Sequence, residues 1–155
     1  MLYSLARSRP FLWLILALPG VWIMWRWTLT PDEYGYGHAI GDTGDWAAWL
    51  LMATMAVTPV RLMFKRAGWT NWLMRRRRDL GVASFVYAAG HTTVYLVRKA
   101  SPELVFAEMQ TPYILVGWFA LALFLPLAIT SNDASVRRLK RSWKSLHRLV
   151  YPAAI

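Results

Sequence analysis

The stretch RRRRDLGVASFVYAAGHTTVYLV, residues 75–97, decides the fold. Its four arginines precede a helix-length apolar run, which is the pattern of a span that starts at a membrane face. A histidine lies inside this run, and ionisable side chains at membrane depth are costly and usually functional. The residues on its helical face follow a 3-4-3-4 spacing and are mostly small: Gly81, Ser84, Ala88, His91 and Tyr95. This face predicts a groove beside a metal-capable imidazole, suited to a flat prosthetic group.

The composition indicates an all-α membrane protein with a single domain, residues 1–155. The chain is 57% hydrophobic, and its charged residues lie between apolar blocks. The absence of cysteine excludes disulfides, iron–sulfur clusters and thiolate-bound metals. The net charge of +10 is concentrated at the ends of apolar runs, which favours anionic membrane lipid over nucleic acid as the partner.

We interpret four apolar runs as complete transmembrane helices and a fifth as part of one. The complete spans are predicted at residues 11–25, 46–60, 80–97 and 113–130, and the partial one at 143–155. Pro19 and Gly20 predict a kink in the first span, which is tolerated where partner helices satisfy the backbone. Thr43 or Asp45 is expected to cap the start of the second span, and Pro59 to mark its end.

The loops between these runs sort by charge. Residues 28–45 contain four acids and no lysine or arginine, whereas residues 61–79 are strongly basic with one acid, Asp79. Residues 137–148 are also basic, and residues 98–108 are nearly neutral. The positive-inside rule therefore places the N-terminus and both basic segments in the cytoplasm.

The fifth run is too short to cross a membrane. Its thirteen residues make roughly 20 Å of helix at about 1.5 Å per residue, whereas about 30 Å of hydrocarbon must be crossed. We therefore expect the chain to be a fragment of a longer protein.

The histidines are the candidate metal ligands. His91 and His147 fall on the third and fifth runs, away from carboxylates, which favours axial ligation of heme iron over a di-iron or zinc site. The alternative is that each histidine hydrogen-bonds a neighbouring helix, and the pattern leaves both interpretations open. His38, in a glycine-rich loop, is expected to be solvated.

The depths of the two span histidines differ. His91 lies roughly 16–17 Å from the inner end of its span, and His147 about 6 Å from the start of its own. Two axial nitrogens on one iron must lie within about 4 Å of each other. His91 and His147 are therefore poorly matched, and the natural partner of His91 is expected beyond Ile155.

The arginines at 75–78 are interpreted first as a topology signal. A second role, attraction of acidic lipid or of an anionic flavin or nucleotide phosphate, stays open.

Segments of the chain resemble, in order, one known family. It is the heme-binding membrane subunit of the bacterial periplasmic protein-methionine-sulfoxide reductase, within the ferric-reductase-like transmembrane superfamily. The segments are TGDWAAWLLMATMAVTPVR at 43–61, RRRRDLGVASFVYAAGHTTVYL at 75–96, TPYILVGW at 111–118 with LAITS at 127–131, and WKSLHRLVY at 143–151.

The resemblance implies a multi-pass b-type cytochrome of the bacterial inner membrane, the electron-transfer subunit of an oxidoreductase complex. Electrons would arrive from a cytoplasmic flavin reductase, with FMN as a further cofactor. They would leave to a periplasmic molybdopterin subunit that repairs oxidised methionine. The family's heme-ligand positions fall on His91 and His147, and a further family histidine falls beyond Ile155. Two alternatives are the membrane component of a ferric reductase and a non-enzymatic membrane scaffold with structural histidines.

Overall fold

The computed structural model describes residues 8–154. Over this range the chain forms helices joined by short turns, with no β-strand. The helices are α1 (Arg9–Leu29), α2 (Tyr36–Met63), α3 (Gly68–Lys99), α4 (Pro102–Glu108), α5 (Pro112–Ile129), α6 (Asp133–Leu139), α7 (Arg141–His147) and α8 (Val150–Ala153).

Four helices in this range are long and apolar enough to cross a membrane: α1, α2, α3 and α5. Leucine and valine side chains on α1 are largely exposed, at 66% for Leu14, 63% for Leu18 and 64% for Val21. Surface of this kind is stable against lipid and not against water. The all-α membrane fold with four spans is confirmed.

Helix α2 begins ten residues before the predicted span, at Tyr36, with Gly35 as its N-cap residue. The prediction that Thr43 or Asp45 caps this helix is wrong. Thr43 lies inside α2, 7% exposed, and its hydroxyl donates to the carbonyl of Ala39 at 2.7 Å. Ala39 and Thr43 are buried against the core, and this burial favours a helix here. The glycines and acids of the same segment would by themselves indicate a loop. The helix also continues past Pro59 to Met63.

Helix α1 contains Pro19, and a side chain from α3 completes its backbone hydrogen bonding. The Tyr87 hydroxyl accepts from the Gly20 amide at 2.8 Å and donates to the Leu16 carbonyl at 2.7 Å. An amide and a carbonyl four residues apart are normally bonded to each other in an α-helix, and here the phenol bonds to both groups. A side chain on Gly20 would place its Cβ 3.3 Å from this oxygen.

The contacts divide the chain into two compact units, with the boundary between Val94 and Tyr95. The core of the first unit comes from α1, α2, α3 and the turn before α2: Ile23, Tyr34, Ala39, Leu50, Val57, Leu80, Ala83, Tyr87 and Val94. In the second unit, α5 packs against α8.

Asp79 is a buried residue of α3 and not the loop acid that the charge pattern indicates. It is 4% exposed. Its Oδ1 accepts from Arg9 Nε at 2.9 Å and from the Trp13 indole at 3.3 Å, and Arg76 Nη1 lies 3.7 Å from its Oδ2. A buried carboxylate needs such partners, and these tie α1 to α3.

The run at 143–155, predicted as part of one helix, is divided. Helix α7 ends at His147 and α8 starts at Val150. Pro152 explains the division, because in a continuous helix its ring would clash with the carbonyl of Arg148.

Candidate functional site

His91 is held by a hydrogen bond to the backbone of α2. Its Nδ1 lies 2.9 Å from the carbonyl oxygen of Ile40. A carbonyl oxygen only accepts, so Nδ1 carries the proton and the lone pair is on Nε2. Histidines that bind metals commonly donate their second ring N–H to a carbonyl or carboxylate in this way, which fixes the tautomer and the orientation of the ring. The geometry therefore suits ligation through Nε2.

Gly44 provides space for the same ring. A Cβ at this position would lie 3.1 Å from His91 Nδ1 and 3.3 Å from its Cε1. Gly44 is one helical turn after Ile40, so a single face of α2 provides both the acceptor and the space. Neither Ile40 nor Gly44 can be recognised from its residue type as part of a site. The sequence feature that could indicate the site is a glycine one helical turn from a residue that contacts the histidine.

The predicted groove of small residues on α3 is largely filled by α2. The Ser84 hydroxyl donates to the Ala47 carbonyl at 2.8 Å, and a Cβ on Gly81 would lie 3.5 Å from the Thr54 methyl group. Small residues let helices in a membrane approach closely. The prediction of an open groove over Gly81 and Ser84 is therefore wrong, and these residues serve helix packing.

An apolar cavity of about 610 Å³ lies against a different face of α3. Side chains of α1 and α3 form most of its wall, including Trp13, Tyr87 and Val94, and Thr43 of α2 contributes. The polar atoms of Tyr87 and Thr43 are already hydrogen-bonded to helix backbone. The cavity wall is therefore mainly apolar.

His147 lies at the end of α7, in the second unit, and contacts Thr130 and Trp143. Its Nε2 is 3.1 Å from Thr130 Oγ1. The Thr130 hydroxyl donates its proton to the Pro126 carbonyl at 2.6 Å, so Nε2 of His147 is the donor to Oγ1. The indole of Trp143 stacks on the imidazole at 3.9 Å. In this tautomer, ligation would use Nδ1 or require release of the Thr130 bond.

His38 is exposed, as expected, although it lies within α2 and not in a loop. Its ring stacks on Tyr34 at 5.4 Å. Tyr34 is 3% exposed, and its hydroxyl donates to Asp42 at 2.5 Å. Burial, followed by this hydrogen bond, raises the pKa of the Tyr34 phenol far above its usual value.

The four arginines before the third span differ in their contacts. Arg77 donates from Nε to the Thr54 carbonyl at 3.1 Å and from Nη1 to the Thr58 hydroxyl at 3.2 Å. Arg76 lies beside Asp79, while Arg75 is exposed. Arg77 therefore joins α3 to α2, and Arg76 pairs with an acid of its own helix.

The donor set fits heme iron better than a metal held by protein alone. Between residues 8 and 154, no group of three or more histidine, cysteine, aspartate or glutamate side chains is arranged to hold an ion. A porphyrin supplies four of the iron's ligands and asks the protein only for axial ones. A histidine with its Nδ1 proton fixed on a carbonyl, such as His91, meets that requirement.

Comparison with known proteins identifies the relatives. The family model described as ferric reductase like transmembrane component matches residues 43–155. Relatives from three bacteria serve as examples, and each bears the name protein-methionine-sulfoxide reductase heme-binding subunit MsrQ. The one from Rhizobium meliloti (strain 1021) is 37% identical over 96% of this chain and 74% of its own length. The one from Xanthomonas campestris pv. campestris (strain B100) is 43% identical over 73% and 51%, and that from Ralstonia nicotianae is 37% identical over 98% and 70%.

The chain thus spans between half and three quarters of the length of these three relatives. No solved structure gives a significant match to it.

Proposed function

We propose that this chain, which belongs to the ferric reductase like transmembrane component family, is the heme-binding membrane subunit of a protein-methionine-sulfoxide reductase. It is a multi-pass protein of the bacterial inner membrane. The names of relatives that are 37–43% identical support this function. We also propose that residues 1–155 act as one heme-binding domain.

His91 would hold the heme iron in this proposal, and one observation carries it. The hydrogen bond from Nδ1 to the Ile40 carbonyl directs the lone pair to Nε2. Heme b, when bound, supplies one-electron chemistry between ferric and ferrous iron. The protein's part is to fix the imidazole and to keep water from it within a helical bundle.

His147 is proposed as the second or a separate ligand, on the family resemblance around WKSLHRLVY. Its ring is ordered by Trp143 and Thr130. Because Nε2 donates to Thr130, we assign ligation to Nδ1, or to Nε2 after that bond opens.

The direction of electron transfer completes the proposal. With the N-terminus in the cytoplasm, the chain accepts electrons from a cytoplasmic flavin reductase, with FMN as a further cofactor. It passes them to a periplasmic molybdopterin-containing methionine-sulfoxide reductase subunit, which repairs oxidised methionine. The basic inner segments support this orientation, and the exposed Arg75 offers a cation to a flavin phosphate or to anionic lipid.

The test is the heme spectrum of membranes that contain His91→Ala, with His38→Ala as the matched control. We expect His91→Ala to lose the absorbance bands of reduced heme at equal protein level, because the axial nitrogen is gone. His38→Ala should keep them, since His38 is exposed. Unchanged bands in His91→Ala would remove His91 as a ligand.

A second candidate is the membrane component of a ferric reductase, which the description of the matching family favours. Growth of a deletion strain separates the two functions. Dependence on this chain for use of ferric iron supports the second, and dependence for repair of oxidised periplasmic methionine supports the first. A colourless protein, purified after heme supply, would instead support the scaffold with structural histidines.

A further inference from the structure

We propose that Gly44 and the backbone carbonyl of Ile40 form a positioning element that fixes the tautomer and the rotation of the His91 ring, and thereby sets how tightly the ring holds heme iron. This inference rests on the proposed role of His91 as an axial ligand. It assigns to two residues of α2 a function that their side-chain chemistry does not indicate.

Both contacts converge on one atom of the ring. Nδ1 lies 2.9 Å from the Ile40 oxygen and would lie 3.1 Å from a Cβ at position 44. A contact of 3.1 Å between a carbon and a ring nitrogen is closer than van der Waals distance. A side chain at position 44 would therefore press on the ring atom that bonds to the carbonyl, and the ring would have to move by a few tenths of an ångström.

The turn of α2 that carries these groups is itself anchored. Ala39 is fully buried, and the hydroxyl of buried Thr43 donates to the Ala39 carbonyl at 2.7 Å, with the Ile40 carbonyl 3.1 Å away. On α3, Ser84 binds the Ala47 carbonyl at 2.8 Å, which keeps the two helices close. The acceptor for His91 is thus on a rigid element, as a second layer around a metal ligand requires.

A methyl group at position 44 forces a choice on the ring. The ring must shift by a few tenths of an ångström, which strains the bond to Ile40, or α2 and α3 must move apart by a similar amount, which lengthens the Ser84 contact. Either movement changes the direction of Nε2. Loss of the Nδ1 hydrogen bond also lowers the basicity of the ligand nitrogen, so the ferric state is less stabilised.

Gly41 provides a matched control on the same helix. A Cβ there meets nothing within 4 Å, and the residue is exposed. Alanine at either position improves helix propensity in the same sense. Any difference between Gly44→Ala and Gly41→Ala therefore reports on the contact with His91.

The first experiment measures heme affinity and reduction potential in the two purified full-length variants. We expect Gly44→Ala to lose heme affinity by about tenfold or more, the usual effect of disturbing a residue behind a metal ligand, and to shift the potential upward. Gly41→Ala should match the unmodified protein in both. Equal affinity and potential in the two variants would overturn the proposal while leaving His91 as a ligand.

The second experiment replaces the side chain by a diffusible ring and so does not depend on tolerance of a methyl group. In His91→Gly, added imidazole should restore the reduced-heme bands, because its second nitrogen can donate to the Ile40 carbonyl. 1-Methylimidazole, whose methylated nitrogen has no proton, should need about a tenfold higher concentration. Equal restoration by both compounds contradicts a role for the carbonyl.

These outcomes separate the inference from the function on which it rests. Retention of heme by His91→Ala defeats both the positioning role and the role of His91 as a ligand. Loss of heme in His91→Ala with no difference between Gly44→Ala and Gly41→Ala defeats the positioning role alone. Should neither imidazole restore the bands, the comparison of the two glycine variants decides.

Discussion

Glu108 shows how one residue joins two segments of the second unit. Its carboxylate accepts from the Tyr95 hydroxyl at 2.9 Å and forms an ion pair with Lys99. These groups link the end of α3 to the end of α4. The hydrogen bond from Lys99, followed by that from Tyr95, lowers the pKa of Glu108 below its ordinary value of 4.5.

The pH dependence follows from the sign of this shift. A carboxyl whose folded pKa lies below its unfolded one stabilises the fold fully above the unfolded value, and this stabilisation is lost as pH falls through the folded value. We expect NMR titration of Glu108 to give a midpoint below 4.5, and Lys99→Met to move that midpoint upward. A Glu108 midpoint that does not respond to Lys99→Met would contradict the assignment.

His91 also shows where reasoning from single residues succeeds and where it ends. The sequence marks it because an ionisable group lies in an apolar run. Its partner is a backbone carbonyl 51 residues earlier, and a carbonyl has no residue-type signature. The Thr130 partner of His147 is likewise fixed by the turns between α5 and α7, which the apolar pattern does not predict.

At the scale of elements, the pair α2–α3 is held by polar contacts near the C-terminal end of α2 as well as by close packing. Arg77 reaches from α3 to the Thr54 carbonyl and the Thr58 hydroxyl of α2. Thr54 also donates to the Leu50 carbonyl at 2.7 Å. The guanidinium therefore satisfies a carbonyl and a hydroxyl group near the end of α2.

Arg77→Met should destabilise the protein, because a hydrogen bond from a charged donor contributes about 1.5–3 kcal/mol to the free energy of unfolding. Arg75→Met removes the same charge from an exposed residue of the same run, and we expect a change within about 0.5 kcal/mol. Thermal unfolding in detergent measures both. Equal melting temperatures for the two variants would show that Arg77 acts only as a topology charge.

The long helices could be predicted from the sequence, whereas the residues at which they begin and end could not. Apolar runs of helix length identify α1, α2, α3 and α5, since the bilayer demands long apolar segments. The start of α2 at Tyr36 escapes the same reasoning, because glycines and acids at 35–45 indicate a turn unless their burial against the core is known. The fold therefore follows from composition, but its boundaries follow from packing.

At the scale of the whole molecule, the charge distribution predicts a single orientation in the membrane. The segment between α2 and α3 is basic, while that between α1 and α2 is acidic. If the basic segment stays in the cytoplasm, the acidic segment lies outside. The orientation decides which end of the spans meets an electron donor and which meets an acceptor.

The chain has no cysteine, so single cysteines can report this orientation without background. We expect Asp32→Cys to react with a membrane-impermeant maleimide in intact spheroplasts, and Arg66→Cys to react only after the membrane is opened. Reaction with the denatured protein controls for thiol reactivity. The opposite labelling pattern would reverse the proposed direction of electron flow.

The phenol of Tyr87 within the ladder of α1 has a consequence for biogenesis. Gly20 and Tyr87 are 67 positions apart, so the ribosome releases the first helix well before it makes the residue that completes it. Until then one amide and one carbonyl lack their final partner in an environment poor in water. The contacts of the first helix are thus completed only after the third helix has been made.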